Sequence, residues 1–290
     1  MAVSSKSAKA NARRRIAGLV ACTLIAGIVA PERQAFAERS PVLRLGVTTT
    51  VENSGLLAHL LPRFTAATGI QVRAIVRGTG EVLRVARAGD VDVIIAHDPA
   101  GERAFLHAGH GTARRDLMRS YFVIVGPKSD PAGIAGLKSA PDALRKIAHH
   151  KARFISRGDD SGTHRSERRQ WRAAGIDPHK PARRWYMEAG AGMGATLNVA
   201  SGRGAYTFTD IGTWLAFRNR GALVALVTAD GSLINVYGVT LVAPTRIGPR
   251  RARAARRFFR WISGPAGQRA IGRYRIDGRT PFTPATFPRP

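Results

Sequence analysis

The chain has 290 residues, with 46 lysines and arginines, 19 aspartates and glutamates, and a single cysteine. This length suits one large domain or two moderate lobes. One cysteine excludes an intramolecular disulfide and cysteine-rich metal sites. The net charge of +27 would suit nucleic acid, an anionic surface or a small anion. Because the basic residues are scattered, apart from the run at 250–257, and do not alternate with aromatic residues, we expect no nucleic-acid binding.

The N-terminus has the three parts of an export signal. Basic residues precede an apolar run from Ile16 to Ala30, and an A-x-A cleavage site ends at Ala37. The apolar run is shorter than the roughly 20 residues that span a bilayer as a helix. Residues 1–37 are therefore predicted to be a cleaved signal peptide, and the mature chain a soluble, monomeric, periplasmic protein. A lipid anchor at Cys22 is an alternative, and three consecutive arginines leave a twin-arginine export route open.

Strands and helices alternate in the first part of the mature chain. The apolar spacing predicts a strand, a helix, a strand, a helix and a strand, at Val42–Val47, Leu56–Thr68, Gln71–Val76, Glu81–Ala88 and Val91–Ile95. Pro62 should kink or divide the first helix. The order of these elements predicts a parallel sheet with right-handed crossovers.

A second alternating block follows the strong strand Tyr121–Gly126 and a loop rich in Pro, Gly and Ser. Its predicted strands are Arg153–Ile155, Gly204–Phe208 and Leu223–Val227, and its predicted helices are Ser166–Ala174, Gly194–Ser201 and Ile211–Phe217. A long strand, Ile234–Val242, then leads to helices at Ala252–Ile262 and Gly267–Ile271. Two βα blocks joined by two long strands predict two lobes, namely 38–122 with 238–290, and 123–237. The long strands would form the hinge between them.

Four strand-to-helix loops combine small residues with hydroxyl groups. Such loops present free backbone N–H groups and can hold an anion, although each could be an ordinary helix cap. The loops are Thr48–Gly55, Gly78–Gly80, Arg157–Thr163 and Gly190–Thr196. Four loops at equivalent places favour an anion site, with Arg157 as its cation. Neutral donors around one arginine suit a fully ionised oxyanion, whereas a protonated ligand would need a carboxylate acceptor such as Asp98, Asp159 or Asp160.

An ordered set of segments carries a family resemblance. It comprises Thr48–Thr50, Arg77–Gly80, Ala96–Pro99, Phe122–Pro127, Ser156–His164, Glu188–Leu197 and Tyr206–Asp210. Over roughly Leu43 to Phe282, the chain resembles the tungstate-binding periplasmic components of ABC transporters, close to the molybdate- and phosphate-binding-like superfamily. The resemblance implies an α/β type II periplasmic binding protein fold, an oxyanion in the cleft between two lobes, and permease subunits as partners.

The resemblance also assigns residues to the ligand. Thr48, Thr49 and Thr50 match the first three positions of a TTTS run, in which Val51 replaces the serine. Arg157 corresponds to the arginine implicated in anion selectivity, and Thr79, Ser161 and Thr163 correspond to loop donors. With two residues of the fourth loop added, the predicted ligand-binding residues are Thr49, Thr50, Thr79, Arg157, Ser161, Thr163, Gly192 and Thr196.

The function expected from the sequence is capture of tungstate or molybdate and its delivery to an ABC permease, without catalysis or a cofactor. Binding of phosphate or another oxyanion is the nearest alternative. An exported hydrolase is a second one, because Ser161, His164 and Asp160 imitate a catalytic triad within one turn. His97 and Asp98 could likewise form a catalytic pair, although loop capping or packing between lobes explains them more simply. No HExxH or comparable metal-binding spacing occurs.

Overall fold

The computed structural model describes residues 42–179, 184–228 and 230–285, which lie in one compact unit. The predicted signal peptide, with its cleavage site at Ala37 and the alternative anchor at Cys22, lies outside the described residues. Within these three ranges, none of the helices combines the length and the hydropathy that a membrane span requires.

Helices and strands alternate along most of the chain. The helices are α1 Thr49–Asn53, α2 Leu56–Thr68, α3 Thr79–Ala88, α4 Pro99–His107, α5 Ala140–His149, α6 Gly162–Ala173, α7 Met193–Arg203, α8 Ile211–Ala216, α9 Pro244–Ser263 and α10 Pro265–Arg273. The strands are β1 Leu43–Thr48, β2 Val72–Arg77, β3 Val93–Ala96, β4 Gly111–Pro127, β5 Phe154–Ser156, β6 Tyr186–Glu188, β7 Tyr206–Asp210, β8 Leu223–Val227, β9 Ile234–Val242 and β10 Thr283–Pro284.

The described strands follow the order β2-β1-β3-β9-β4-β7-β5-β6, with β8 and β10 also pairing with β4. At one end, β1 pairs in parallel with β2 and β3, as the βαβαβ pattern predicts. At the other end, β5 pairs in parallel with β6 and β7. The central strands β9 and β4 run antiparallel to their neighbours. Two parallel blocks therefore flank an antiparallel centre.

Strand β4 belongs to both halves of the molecule. Its first part, up to Tyr121, pairs with β9, where Tyr121 lies opposite Ile234. From Phe122 onward it pairs with β7 and β8 instead. The change of partner falls between two consecutive residues, so the backbone of a single strand connects the two halves.

The apolar cores separate along the same division. One core contains β1, β3 and the inner faces of α2, α3 and α9, and it includes Tyr237. A second core surrounds Trp171, and a third surrounds Trp214. Phe122, which the sequence assigned to the first lobe, lies in the second core, and Ile276, also assigned to the first lobe, lies in the third. The exact lobe limits stay a prediction.

Pro62 does not divide α2, contrary to the sequence-based expectation. The helix is continuous from Leu56 to Thr68. A proline within a helix removes the hydrogen bond to the carbonyl four residues earlier, which here belongs to Ala58. Pro62 and Ala58 are both exposed, so water can satisfy that carbonyl while the buried face remains intact.

Several elements begin earlier than predicted or were not predicted. Helix α6 starts at Gly162 rather than Ser166, directly after its cap at Ser161. Helix α5 lies within the segment interpreted as a loop, and α4 follows Asp98. Helix α9 starts at Pro244 but is interrupted at Gly248, whose φ of 78° is in the left-handed region that favours glycine.

Candidate functional site

Arg157 is the central side chain of the site. It lies at the end of β5, and only 1% of it is exposed to solvent. Its Nη2 donates a hydrogen bond of 2.5 Å to Oδ2 of Asp159, whereas its Nε and Nη1 are buried without a hydrogen-bond partner in the described structure. Buried donors are normally satisfied, so two free N–H-bearing atoms on a buried cation mark a place for an acceptor.

Asp159 holds the guanidinium through Nη2 and leaves Nε and Nη1 without a partner among the described residues. Burial by itself would raise the pKa of Asp159, but Arg157 and the hydrogen bonds from Ser161 outweigh it and lower that pKa. The carboxylate is therefore ionised at neutral pH. It is already engaged by Arg157 and by the backbone N–H of Ser161, which leaves it poorly placed to accept a proton from a ligand.

The start of α6 supplies further donors beside Arg157. Ser161 is the N-cap and accepts a hydrogen bond from the backbone N–H of His164. Thr163 is fully buried, and its Oγ1 has no partner in the described structure. The loop reaches this position through positive φ angles at Gly158 and Asp160. Backbone N–H groups at a helix start attract negative charge, so α6 adds to the field of Arg157.

Helix α6 contacts residues of the first half of the chain at this point. The backbone N–H of Gly162 donates to Oγ1 of Thr79, the first residue of α3, over 3.3 Å. The approach is close, because a Cβ atom on Gly162 would lie 2.6 Å from the ring of His97. Arg165 of α6 also forms a 3.2 Å ion pair with Asp98. The predicted donors of the second and third loops are thus brought together.

The first loop contributes a buried network of hydroxyl groups. Thr50 Oγ1 lies 3.1 Å from Thr48 Oγ1 and 3.5 Å from His97 Nε2, and it accepts a hydrogen bond from the Tyr237 hydroxyl. The His97 Nδ1–H donates to Oδ1 of Asn235 over 3.0 Å, so Nε2 is the acceptor nitrogen of the ring. Burial lowers the pKa of His97 to about 4, opposed by the Asn235 bond and aided by Arg157. His97 is therefore neutral at pH 7.

The other predicted residues of the first and fourth loops are placed less directly. Thr49 is half-buried, at the start of α1. Gly192 is the N-cap of α7, which has no side-chain cap. The Thr196 hydroxyl donates to the carbonyls of Ala191 and Gly192, so its proton stabilises the loop itself. Val51 lies in the apolar core of the first half of the chain, where a serine hydroxyl would replace a packed methyl group.

Sequence reasoning missed Asp210 as a member of this cluster. It caps α8 through Oδ1, while its buried Oδ2 has no partner in the described structure. Burial raises the pKa of Asp210, and the Thr213 backbone bond and nearby Arg157 oppose that rise. Because aspartate is a common N-cap residue, the position of Asp210 directly before α8 could have indicated its capping role from the sequence. Its proximity to Arg157 arises only from the pairing of β7 with β5.

The residues that imitate a hydrolase triad do not form one. Ser161 Oγ accepts from the backbone of His164, and His164 Nδ1 accepts from the backbone N–H of Asp160. A triad needs the histidine ring to connect the serine hydroxyl with a carboxylate. The carboxylate that pairs with the His164 ring is that of Glu188, 3.7 Å from Nε2, and within the described structure the ring has no hydrogen bond to the Ser161 hydroxyl. Among the described residues, no group of three or more His, Cys, Asp or Glu side chains could hold a metal ion.

Comparison with known proteins gives consistent matches. The sequence profile of the PBP superfamily domain matches residues 35–264. The tungstate-binding protein TupA of Peptoclostridium acidaminophilum is 40% identical over 246 residues, which are 83% of this chain and 84% of that protein. The solved structure of the tungstate-binding protein TupA from Desulfovibrio alaskensis G20 is 42% identical, with a TM-score of 0.73, and the match covers 85% of this chain and 100% of that one. The crystal structure described as the tungstate ABC transporter from Geobacter sulfurreducens is 43% identical, with a TM-score of 0.74, covering 80% and 98%.

The profile match at residues 35–264 covers both halves of the sheet. Together, the matches confirm the predicted α/β periplasmic-binding-protein fold and the resemblance noted in the sequence. The chain belongs to the PBP superfamily and, within it, to the family of the TupA proteins.

Proposed function

We propose that this protein captures a tetrahedral oxyanion between its two lobes and delivers it to an ABC permease. The observation that carries the proposal is the buried guanidinium of Arg157, which has two partnerless donor atoms beside the start of α6. A buried charge without a full set of partners is costly. An anion in contact with Nε and Nη1 would supply those partners.

The donor set favours a fully ionised ligand. Arg157 and the Thr163 hydroxyl present donor atoms without partners in the described part of the chain, and Asp159 is already engaged. Burial favours the neutral form of Asp210, the other carboxyl near Arg157, because it raises the pKa of that group. Tungstate and molybdate carry no proton at neutral pH, so they need donors on every side and no acceptor. Because the relatives described above are named for tungstate, we infer tungstate as the first ligand and molybdate as the second. Phosphate and sulfate are the competing tetrahedral anions.

Binding would draw the lobes together about β4 and β9. The bond from Gly162 to Thr79 and the ion pair between Arg165 and Asp98 join the halves beside the site. A ligand held from both sides would favour this closed arrangement over an open one. The site would bind and release its ligand without chemistry, and the mature chain would act in the periplasm after cleavage near Ala37.

Isothermal titration calorimetry of the mature chain with tungstate, molybdate, sulfate and phosphate tests the proposal. Tungstate or molybdate should bind in a one-to-one ratio, and ligand at about 1,000 times its Kd should stabilise the fold by about 4 kcal/mol. The absence of binding for all four anions would overturn the proposed function.

A matched pair of variants tests the role of the guanidinium. Arg157→Met should weaken binding by at least about 100-fold, because a buried charged contact contributes several kcal/mol. Arg218→Met removes an exposed arginine that pairs with Asp277 and should leave the affinity unchanged. Equal affinity in both variants would show that Arg157 does not contact the oxyanion. Thermal unfolding without ligand separates a loss of affinity from a loss of folding.

A further inference from the structure

A second cationic feature lies outside the oxyanion site. From Gly231 to Ile276 the sequence has no aspartate or glutamate, although arginines are frequent there. Helix α9 presents four of these arginines at i, i+3, i+4 and i+7, which places them on one side of the helix. This α9 arginine face consists of Arg253, Arg256, Arg257 and Arg260, all of them exposed. The opposite side of α9 packs Phe258 and Ile262 into the core.

The α9 arginine face groups four exposed arginines on one helix, without a neutralising carboxylate in the described structure. Exposed Arg84 pairs with Glu81 in α3, and Arg165 pairs with Asp160 at α6. Within the described residues, none of the four arginines of the α9 face has a carboxylate within ion-pair distance. Like charges at these spacings destabilise a helix unless a counter-charge is present. The four positive charges are therefore available to an external anion.

The cationic surface continues beyond α9. A surface pocket between α2, α9 and α10 is lined by His59, Arg63, Trp261, Arg269 and Arg273, among others. Three arginines and one tryptophan thus line the same pocket. Guanidinium groups bind phosphate through paired, planar hydrogen bonds, and tryptophan is enriched at membrane–water interfaces.

The surface lacks the apolar centre that a protein partner would need. Among the described residues, the exposed large apolar side chains are Val42, Tyr121, Val199 and Ile234, and none of them lies in α9 or α10. Protein interfaces are built around buried aromatic and aliphatic anchors. An array of spread positive charge without such anchors suits a delocalised anionic surface instead.

We propose that the α9 arginine face and the adjoining pocket dock this protein peripherally on a bilayer of anionic phospholipid. The arginines lie against the headgroup phosphates, and no segment inserts into the hydrocarbon. This inference rests on charge placement alone and does not depend on which oxyanion the protein binds.

Vesicle flotation tests the proposal with the mature chain. At about 0.15 M salt, the protein should bind vesicles that are about one third phosphatidylglycerol and should not bind vesicles of phosphatidylcholine alone. Replacing the four arginines of the α9 face by glutamine should lower the partition coefficient by at least about 100-fold, since each arginine near the surface contributes to attraction. Oxyanion titration and circular dichroism of this variant serve as the folding check.

A control variant separates the effect of the α9 arginine face on vesicle binding from the effect of the net charge. Arg153, Arg168, Arg172 and Arg203 are exposed in the other half of the chain, and their replacement by glutamine removes the same charge. This control should retain at least half of the vesicle binding. Equal losses in the two variants, or no binding of the wild type to anionic vesicles, would overturn the proposal. Tight binding to duplex DNA without binding to vesicles would assign the surface to a polyanion and also overturn it.

Discussion

The Glu167→Gln substitution should remove a pH dependence of the free energy of unfolding. The Glu167 carboxyl is completely buried in α6 and accepts hydrogen bonds from Ser156 Oγ at 2.9 Å, Trp171 Nε1 at 3.1 Å and the Tyr186 hydroxyl at 3.0 Å. Burial raises its pKa to about 7, against the lowering effect of these three bonds. Glutamine has nearly the same shape and does not titrate.

The magnitude follows from the difference between the folded and unfolded pKa. The ordinary value is 4.5, and the folded value is about 7. At about 1.4 kcal/mol per pH unit, this corresponds to about 3 kcal/mol. Because the folded state binds the proton more tightly, this contribution to stability is fully present below the unfolded pKa. It is lost as the pH rises through the folded pKa.

His97 acts in the opposite direction and would obscure this effect in the wild type alone. Its pKa falls from 6.5 to about 4 on burial, so the folded state binds fewer protons than the unfolded state between these values. The stability that comes from neutral His97 is present above its unfolded pKa and is lost as the pH falls toward 4. Over much of the acidic range the two slopes offset each other.

The informative quantity is therefore the difference between wild type and variant. We would measure the free energy of unfolding by urea titration followed by circular dichroism, at pH values between about 4.5 and about 8. As the pH rises over this range, the stability of Glu167→Gln relative to the wild type should increase by about 3 kcal/mol. Glu81→Gln changes an exposed carboxyl that pairs with Arg84 and should show no comparable shift in that direction. A difference for Glu167→Gln that stays constant across this range refutes the reasoning.

Three further substitutions test the contacts around the oxyanion. Thr163→Val should weaken oxyanion binding by about 10- to 100-fold without loss of stability, since its buried hydroxyl has no partner in the described structure. Its control, Thr207→Val, removes a 2.7 Å bond to a carbonyl, so it should lower the unfolding midpoint and leave the affinity measured by calorimetry intact. The reverse pattern would contradict the assignment of Thr163 to the site. Gly162→Ala should weaken oxyanion binding, because its Cβ would lie 2.6 Å from the imidazole of His97 between the lobes. In the control Gly202→Ala the Cβ meets no atom within 4 Å, and the substitution should stabilise its helix by about 0.5–1 kcal/mol. Equal affinity in both variants would argue against the contact between the lobes. Arg165→Met should lower affinity by less than about 10-fold, because its ion pair across the lobes is partly exposed, and a larger loss in titrations at high salt would show that we underestimate it.

Regular local patterns in the sequence were sufficient to predict many elements. Strands β8 and β9 and helix α2 have the predicted limits, because continuous apolar runs or helical spacing specify them directly. The first part of β4 was missed, since Arg114, Arg115 and Asp116 interrupt its apolar pattern. These charges are tolerated because Arg114 pairs with Glu102 of α4 and with Asp116, a contact that sequence spacing does not reveal.

The site was predictable in outline and less so in detail. The loops at strand ends indicated donors, and the structure brings Arg157, Thr163 and Thr79 to neighbouring positions. The neutral network of His97, Asn235 and Tyr237 was not foreseen, because it joins β3 to β9 across 138 residues of sequence. Long-range pairing of this kind depends on sheet order. The local pattern of each segment contains no information about it.

The contact between Arg157 and Asp159 has a consequence for the entropy of binding. A long, flexible side chain normally loses rotamer freedom when it grips a ligand. Here the guanidinium is fixed before any ligand arrives, because a carboxylate two residues away holds one nitrogen and only 1% of the residue is exposed. Folding has already selected its orientation and removed its water. Lysine at this position would keep the positive charge but would lose that fixed planar geometry, so Arg157→Lys is not a conservative change.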